Sequence, residues 1–119
     1  MKRNSRRPEQ VAGTIRQVIA DALAREVRDP RVGRVTVTGV LVTNDLSHAR
    51  VMVSATGDDG EQARAMEGLQ SAAGFFRTRV ARGLTTRIVP ELHFELDKGF
   101  AHAARIEELL GTIRREEKD

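Results

Sequence analysis

The chain has 119 residues, of which 39% are hydrophobic and 31% charged, and its formal net charge is +3. These values fit one globular domain and exclude a disordered chain. Cysteine is absent, which excludes disulfides, thiol nucleophiles and cysteine-ligated metal sites. No apolar run reaches the length of a membrane span, and the basic N-terminus leads into no apolar signal core. We therefore expect a soluble cytoplasmic protein.

The first half of the chain predicts a helix and two strands. Over residues 8–27, apolar side chains recur every four positions, which indicates a helix with one buried face, and Pro30 lies just beyond its end. Residues 34–43 are rich in valine and threonine and alternate in polarity, which predicts a strand. A turn over 43–47 leads into a second alternating run over 49–54, and this short link predicts an antiparallel hairpin.

The second half begins with a helix that starts near residue 61 and is interrupted by Gly74. Apolar residues spaced by three and four predict its buried stripe, which comprises Ala63, Met66, Leu69, Ala73, Phe76 and Val80. A glycine inside a helix costs roughly 1 kcal/mol relative to alanine. We therefore expect a kink near Gly74 or the close approach of another backbone there, with the second half of the helix ending at Gly83.

A third strand and a terminal helix complete the predicted order α-β-β-α-α-β-α. The strand is expected over residues 87–96, and the side chains assigned to one face of it are Ile88, Leu92, Phe94 and Leu96. Apolar spacing over 106–113 predicts the last helix. This order predicts an α+β fold in which helices cover one face of a three-stranded sheet. We expect a basic arm over residues 1–7, one domain over 8–113 and a frayed tail over 114–119.

Charge is segregated along the chain. Residues 1–34 have nine basic and four acidic groups, a balance of +5, whereas residues 58–67 have a balance of −3. Residues 77–87 contain four arginines and no acidic residue. Clustered arginine is the electrostatic footprint of a phosphate-rich partner. The alternative is a solvated surface in a protein whose genome favours arginine codons, and the cluster over 77–87 favours the phosphate interpretation.

No constellation in the sequence favours catalysis. His48, His93 and His102 lack the spacing of metal-binding helix histidines, and no phosphate-binding loop or dinucleotide fingerprint occurs. Glu91, His93 and Glu95 alternate on one predicted strand face, but no nucleophile or cofactor motif accompanies them. We therefore predict a non-enzyme with no catalytic residues, no cofactor and no metal site.

Nucleic-acid binding is the better supported function, and the composition limits its form. Base stacking on a sheet requires exposed aromatic side chains, whereas this chain has no tyrosine or tryptophan and only four phenylalanines. A glycine-containing joint between two helices can clamp a nucleic-acid backbone without aromatics. The G-x-x-G at residues 57–60 follows a strand and contains two aspartates, which repel phosphate. The joint at residues 72–74 is therefore the preferred clamp.

We expect RNA to approach the protein backbone at Ala72 and Gly74 and to be held there by arginines that follow the joint. The predicted phosphate contacts are Arg77, Arg79, Arg82 and Arg87. A basic arm adds electrostatic contacts from Arg3, Arg6 and Arg7. Arg31 is expected either to bind RNA or to support the turn after the first helix.

Four runs of residues resemble the ribosome-binding factor A (RbfA) family. These runs are residues 26–33 (EVRDPRVG), 45–49 (DLSHA), 71–77 (SAAGFFR) and 89–92 (VPEL). The Ala-Ala-Gly of the third run is similar to the family's Ala-x-Gly kink. The resemblance covers residues 10–113 in the same order and spacing. One departure is Lys98-Gly99, where the family often has a serine that caps the last helix.

The resemblance implies a type-II KH-like fold in which a kinked helix replaces the glycine loop. It implies a bacterial assembly factor that binds the free 30S ribosomal subunit and assists late maturation of 16S rRNA or its precursor, including 5′-end processing. It also implies a link to cold adaptation. We expect a monomer that contacts other assembly factors but no membrane. Two alternatives stay open: a protein-interaction domain without RNA binding, and a small hydrolase built on Glu91, His93 and Glu95.

Overall fold

The computed structural model describes residues 7–85 and 87–99, which form three α-helices, a short 3₁₀ turn and three strands. In chain order these are α1 (Pro8–Arg25), the 3₁₀ turn (Pro30–Val32), β1 (Val35–Val42), β2 (His48–Ala55), α2 (Asp59–Ser71), α3 (Ala73–Gly83) and β3 (Glu91–Leu96). The predicted α+β class and the order of these elements are confirmed. The predicted terminal helix, the tail and most of the basic arm, with Arg3 and Arg6, lie outside the described residues.

The three strands form one mixed sheet in the order β1-β2-β3. β1 and β2 are antiparallel, as the short turn predicts, and their register shifts between Val37 and Gly39. β2 and β3 are parallel, with His48 opposite Glu91 and Val51 opposite Phe94. A parallel pair needs a long crossover, and α2 and α3 provide it.

One face of the sheet packs against the helices to form the core. Helix α1 contributes Ile15 and Ile19, both fully buried, and the sheet contributes Val51. The rings of Phe76 on α3 and Phe94 on β3 meet with centroids 5.5 Å apart. Because strand side chains alternate between faces, the opposite face carries polar groups, which are His48, Arg50, Glu91, His93 and Glu95. The sheet therefore has one apolar, covered face and one polar, open face.

The structure corrects two details of the predicted core. Ala63 is exposed, and Ala65 and Gly68 are buried in its place, because this face of α2 packs against the 3₁₀ turn. Ile88 is 48% exposed, because the strand begins only at Glu91 rather than at residue 87. Pro90 has no amide to donate, and the strand's first hydrogen bond runs from the Glu91 amide to the Ser47 carbonyl at 2.9 Å.

The run at residues 57–60 starts α2. The Asp58 carboxylate accepts a hydrogen bond from the Glu61 amide at 2.8 Å, and the Glu61 carboxylate accepts one from the Asp58 amide at 3.1 Å. This reciprocal pair is a capping box, which satisfies amides at the helix start. The G-x-x-G therefore serves as a helix N-terminus here. None of the helices in the described part of the chain combines the length and the apolar character that a membrane span requires.

Gly68 marks the closest approach between α2 and the 3₁₀ turn. A Cβ atom at this position would lie 2.8 Å from Val32 Cγ1 and 3.2 Å from Arg31 Cβ. Val32 is itself buried, so it has little room to move. We expect Gly68→Ala to destabilise the protein by about 1–3 kcal/mol through overpacking, although alanine favours an isolated helix by roughly 1 kcal/mol.

Urea unfolding of Gly68→Ala beside Gly13→Ala measures this effect. Gly13 lies in α1, and a Cβ atom there would meet nothing within 4 Å. The Gly13 variant is therefore expected to gain stability where the Gly68 variant loses it. A Gly68→Ala protein at least as stable as the parent would contradict the packing argument.

Candidate nucleic-acid interface

The predicted kink lies at Ala72, where α2 ends and α3 begins. Ala72 has φ −95° and ψ 6°, and this ψ departs from the helical value of about −42°. Its amide is shared between the carbonyls of Gly68 and Leu69, at 3.1 Å each, while its own carbonyl accepts from the Phe76 amide at 3.0 Å. The chain thus changes direction without losing these hydrogen bonds. The prediction of a break within this helical stretch is confirmed.

Ala72 and Gly74 face different surroundings. Ala72 is half-buried and packs against the core. Gly74 is exposed, and a Cβ atom built on it would meet nothing within 4 Å. No protein contact therefore requires glycine at position 74 within the described part of the chain. The bare backbone at Gly74 is therefore open to an approach from outside the molecule, and the sequence predicts an RNA contact at this position.

An open cleft of about 720 Å³ lies beside this kink. Gln70, Gly74 and Arg77 line the helical side. The other side of the cleft is lined by Ile88, which precedes β3, and by Glu91 and His93 at the start of β3. The cleft therefore joins the kink and one predicted phosphate-binding arginine in a single concave surface.

The four arginines after the kink separate into two groups. Arg77, Arg82 and Arg87 are exposed, and within the described residues none of them forms a salt bridge. Arg79 instead forms a salt bridge with Glu26. Its guanidinium also lies over the ring of Phe75, 5.1 Å from the centroid, which is a cation–π arrangement. Arg79 therefore ties α3 to the end of α1, whereas the other three present their charge to solvent.

Arg31 is held by the turn in which it lies. Its guanidinium donates to both carboxylate oxygens of Asp29, with Nη2 2.6 Å from Oδ2, and its amide donates to the same carboxylate at 2.9 Å. These hydrogen bonds from Arg31 lower the pKa of Asp29, and the same pairing raises the pKa of Arg31. The geometry favours the supporting role of Arg31. Arg7 is the one residue of the basic arm that lies within the described residues, and it is exposed at the start of α1.

The turn between β1 and β2 is organised by Asp45. Its carboxylate accepts hydrogen bonds from the Ser47 hydroxyl at 2.7 Å, the Ser47 amide at 3.1 Å and the Thr43 hydroxyl at 2.8 Å. These bonds, led by that from the Ser47 hydroxyl, lower the pKa of Asp45 to about 2. Because the turn is tied in this way, the position at which His48 enters β2 is well defined.

Sequence reasoning missed a group that the sheet assembles on its open face. His48 and His93 are far apart in sequence, but their Nδ1 and Nε2 atoms lie 3.0 Å apart. The Glu91 carboxylate lies beside both rings. Glu95, the third member of the hydrolase alternative, is instead paired with Arg50 through two bonds of 2.8 and 2.9 Å. These bonds lower the pKa of Glu95. Only the parallel register of β2 and β3 could have revealed the group.

Comparison with known proteins identifies the family. The family model for ribosome-binding factor A matches residues 7–110. A ribosome-binding factor A of Syntrophus aciditrophicus is 44% identical over 114 residues, which cover 96% of this chain and 93% of that protein. The match at residues 7–110 includes the kink and the three exposed arginines that follow it.

Solved structures show the same fold. The crystal structure of ribosome-binding factor A from Thermus thermophilus superposes with a TM-score of 0.66 at 24% identity, covering 75% of this chain and 93% of that one. A homology model of the Thermus thermophilus factor, fitted into a cryo-EM map of a 30S–RbfA complex, has a TM-score of 0.58 at 26% identity and covers 71% and 88%. These structures share the fold, and the sequence matches show that the chain belongs to the ribosome-binding factor A family.

Proposed function

We propose that this protein binds the free 30S ribosomal subunit and assists late maturation of 16S rRNA, including processing of its 5′ end. The observation that carries the proposal is the cleft beside the kink, where the open backbone at Gly74 adjoins the exposed guanidinium of Arg77. The homologous factor of Thermus thermophilus has been fitted into a map of a 30S complex, which supports the same partner.

The chemistry of this surface suits a phosphate backbone. α3 contains no acidic residue in its first turn, so no carboxylate at the start of this helix repels a phosphate. Arg77 lines the cleft, and Arg82 and Arg87 extend the positive charge beyond it. Guanidinium groups bind phosphate oxygens in a bidentate manner. The proposed contact is therefore electrostatic and does not depend on base identity.

Base stacking plays no part in the proposed contact. The open face of the sheet carries histidine, arginine and glutamate rather than phenylalanine. Phe76 and Phe94 are buried in the core, and the ring of Phe75 lies under Arg79. The protein would thus recognise RNA by shape and phosphate position, with Arg3, Arg6 and Arg7 as additional electrostatic contacts. The proposal includes a monomer that needs no cofactor. It also includes action in the cytoplasm together with other assembly factors, and a role in cold adaptation.

Sedimentation with purified ribosomal particles tests the partner. We expect the chain to pellet with free 30S subunits but not with 50S subunits. We also expect its release as salt is raised, because dissolved cations compete with the arginines for the RNA phosphates. Retention by 30S that is independent of salt would favour a protein-interaction domain on the subunit. Equal retention by 50S subunits would contradict the proposal, since a 30S-specific factor distinguishes the two particles.

A further inference from the structure

The start of β2 and the start of β3 bring three potential metal ligands to one point on the open face of the sheet. We propose that His48, His93 and Glu91 bind a divalent transition-metal ion, with Zn²⁺ as the best match. The proposal is independent of the proposed function. It rests on the chemistry and spacing of three donor atoms that belong to two strands.

The donor atoms are spaced as the ligands of one ion. His48 Nδ1 lies 3.0 Å from His93 Nε2 and 3.4 Å from Glu91 Oε2, and His93 Nε2 lies 3.6 Å from the same oxygen. Bonds of about 2.0–2.2 Å to Zn²⁺ place neighbouring donors of a tetrahedral shell roughly 3.3–3.6 Å apart. The three atoms therefore approximate one face of that tetrahedron, and small adjustments of the side chains complete it.

The donor set itself favours this class of ion. Two imidazoles and one carboxylate form the ligand set of several zinc sites that keep a fourth position for water or substrate. Imidazole suits zinc better than it suits magnesium or calcium, which prefer oxygen ligands. Glu91 adds a carboxylate to the two imidazole donors, so a divalent cation gains electrostatically as well as through coordination.

The backbone holds the ligands in place before any ion arrives. His48 and Glu91 are opposite each other in the parallel register, and the Glu91 amide is bonded to the Ser47 carbonyl at 2.9 Å. His93 follows on the same face of β3. Sites built on strands are positioned more precisely than sites built on loops. An ion here would cross-link the two strands at the point where their ladder begins.

Solvent can reach the group. The side chains of His48, His93 and Glu91 are 51%, 44% and 66% exposed, which leaves the outer side of the shell open to a fourth ligand. Glu91 and His93 also line the cleft beside the kink. A bound ion would therefore lie at the edge of that cleft and would neutralise the negative charge of the Glu91 carboxylate there. Because the three side chains are exposed, replacing them is not expected to unfold the protein.

Isothermal titration of the full, tag-free chain with ZnCl₂ at neutral pH tests the proposal. We expect saturable binding of one ion per chain. His48→Ala, His93→Ala and Glu91→Gln should each weaken it by at least about tenfold, since even outer-shell partners of a metal site contribute 10–100-fold. The thermal midpoint should rise with ZnCl₂ in the parent and much less in the variants. Co²⁺ provides a spectroscopic check, because its visible absorption intensifies in a tetrahedral shell.

His102→Ala is the matched control, because His102 is the remaining histidine of the chain. It should bind Zn²⁺ as the parent does. The proposal is overturned if the parent shows no saturable binding, if the His48 and His93 variants bind unchanged, or if His102→Ala abolishes binding. In the first case the two histidines simply share a hydrogen bond across the strands. Circular dichroism of each variant confirms that any decrease in binding reflects the site rather than the fold.

Discussion

Replacing Arg77, Arg82 and Arg87 together by glutamate should abolish retention of this protein by the 30S subunit. These three guanidinium groups are exposed and form no salt bridge within residues 7–85 and 87–99, so their charge is free to meet phosphate. We expect affinity near physiological salt to fall by roughly 100-fold or more. The slope of log affinity against log salt should become shallower by about 2–3, since each phosphate contact contributes about 0.7–0.9.

The control has the same change in charge at other positions. Arg16, Arg25 and Arg64 are also exposed, and reversing any three arginines takes the formal net charge from +3 to −3. This second variant should keep most of its affinity. Equal decreases in the two variants would show that net charge alone drives binding. Arg79 is left unchanged in both, because its salt bridge with Glu26 would confuse binding with stability.

Gly74→Ala should stabilise the free protein and yet weaken its binding to the 30S subunit. The added methyl group meets nothing within 4 Å, and alanine is favoured over glycine inside a helix by up to roughly 1 kcal/mol. If RNA approaches the bare backbone at the kink, the same methyl group prevents close contact between the RNA and the backbone. We expect about a tenfold decrease in affinity, which corresponds to roughly 1.4 kcal/mol.

Gly13→Ala separates the two effects. Gly13 is also helical and exposed, and a Cβ atom there also meets nothing within 4 Å, but it does not line the cleft. Urea unfolding should show both variants to be at least as stable as the parent. Sedimentation with 30S subunits should show weaker binding for Gly74→Ala alone. Unchanged binding by Gly74→Ala would move the RNA contact away from the kink.

Local sequence patterns were enough to predict most of the fold. The four-residue spacing of α1 gives a buried face that includes Ile15 and Ile19, as expected. The alternation in the two hairpin strands, together with their short link, predicted an antiparallel pair. Such signals are readable because neighbouring residues of a helix or strand share a face by geometry alone. The kink also follows from a local signal, because Ala72, Ala73 and Gly74 are small residues in the middle of a helical stretch.

Partners of the predicted site residues were harder to read from the sequence. Asp29 and Arg31 lie within one turn, so the sequence shows that Arg31 can either support this turn or bind RNA. The contact of Arg79 with Glu26 depends on how α3 packs against α1. From the sequence alone, the four arginines of residues 77–87 are therefore equivalent candidates for phosphate contact. Three-dimensional packing leaves Arg77, Arg82 and Arg87 without such a partner within the described part of the chain.

The elements, their order and the arginine-rich stretch after the kink follow from residue spacing, because period and charge are local properties of a chain. The pairing of β2 with β3 does not, since their register depends on a crossover through two helices. That register brings His48 to His93 across 45 residues of sequence. It also places Glu91 and His93 on the wall of the cleft that Gly74 and Arg77 complete. Packing of distant segments, rather than local preference, thus decided which side chains share a surface.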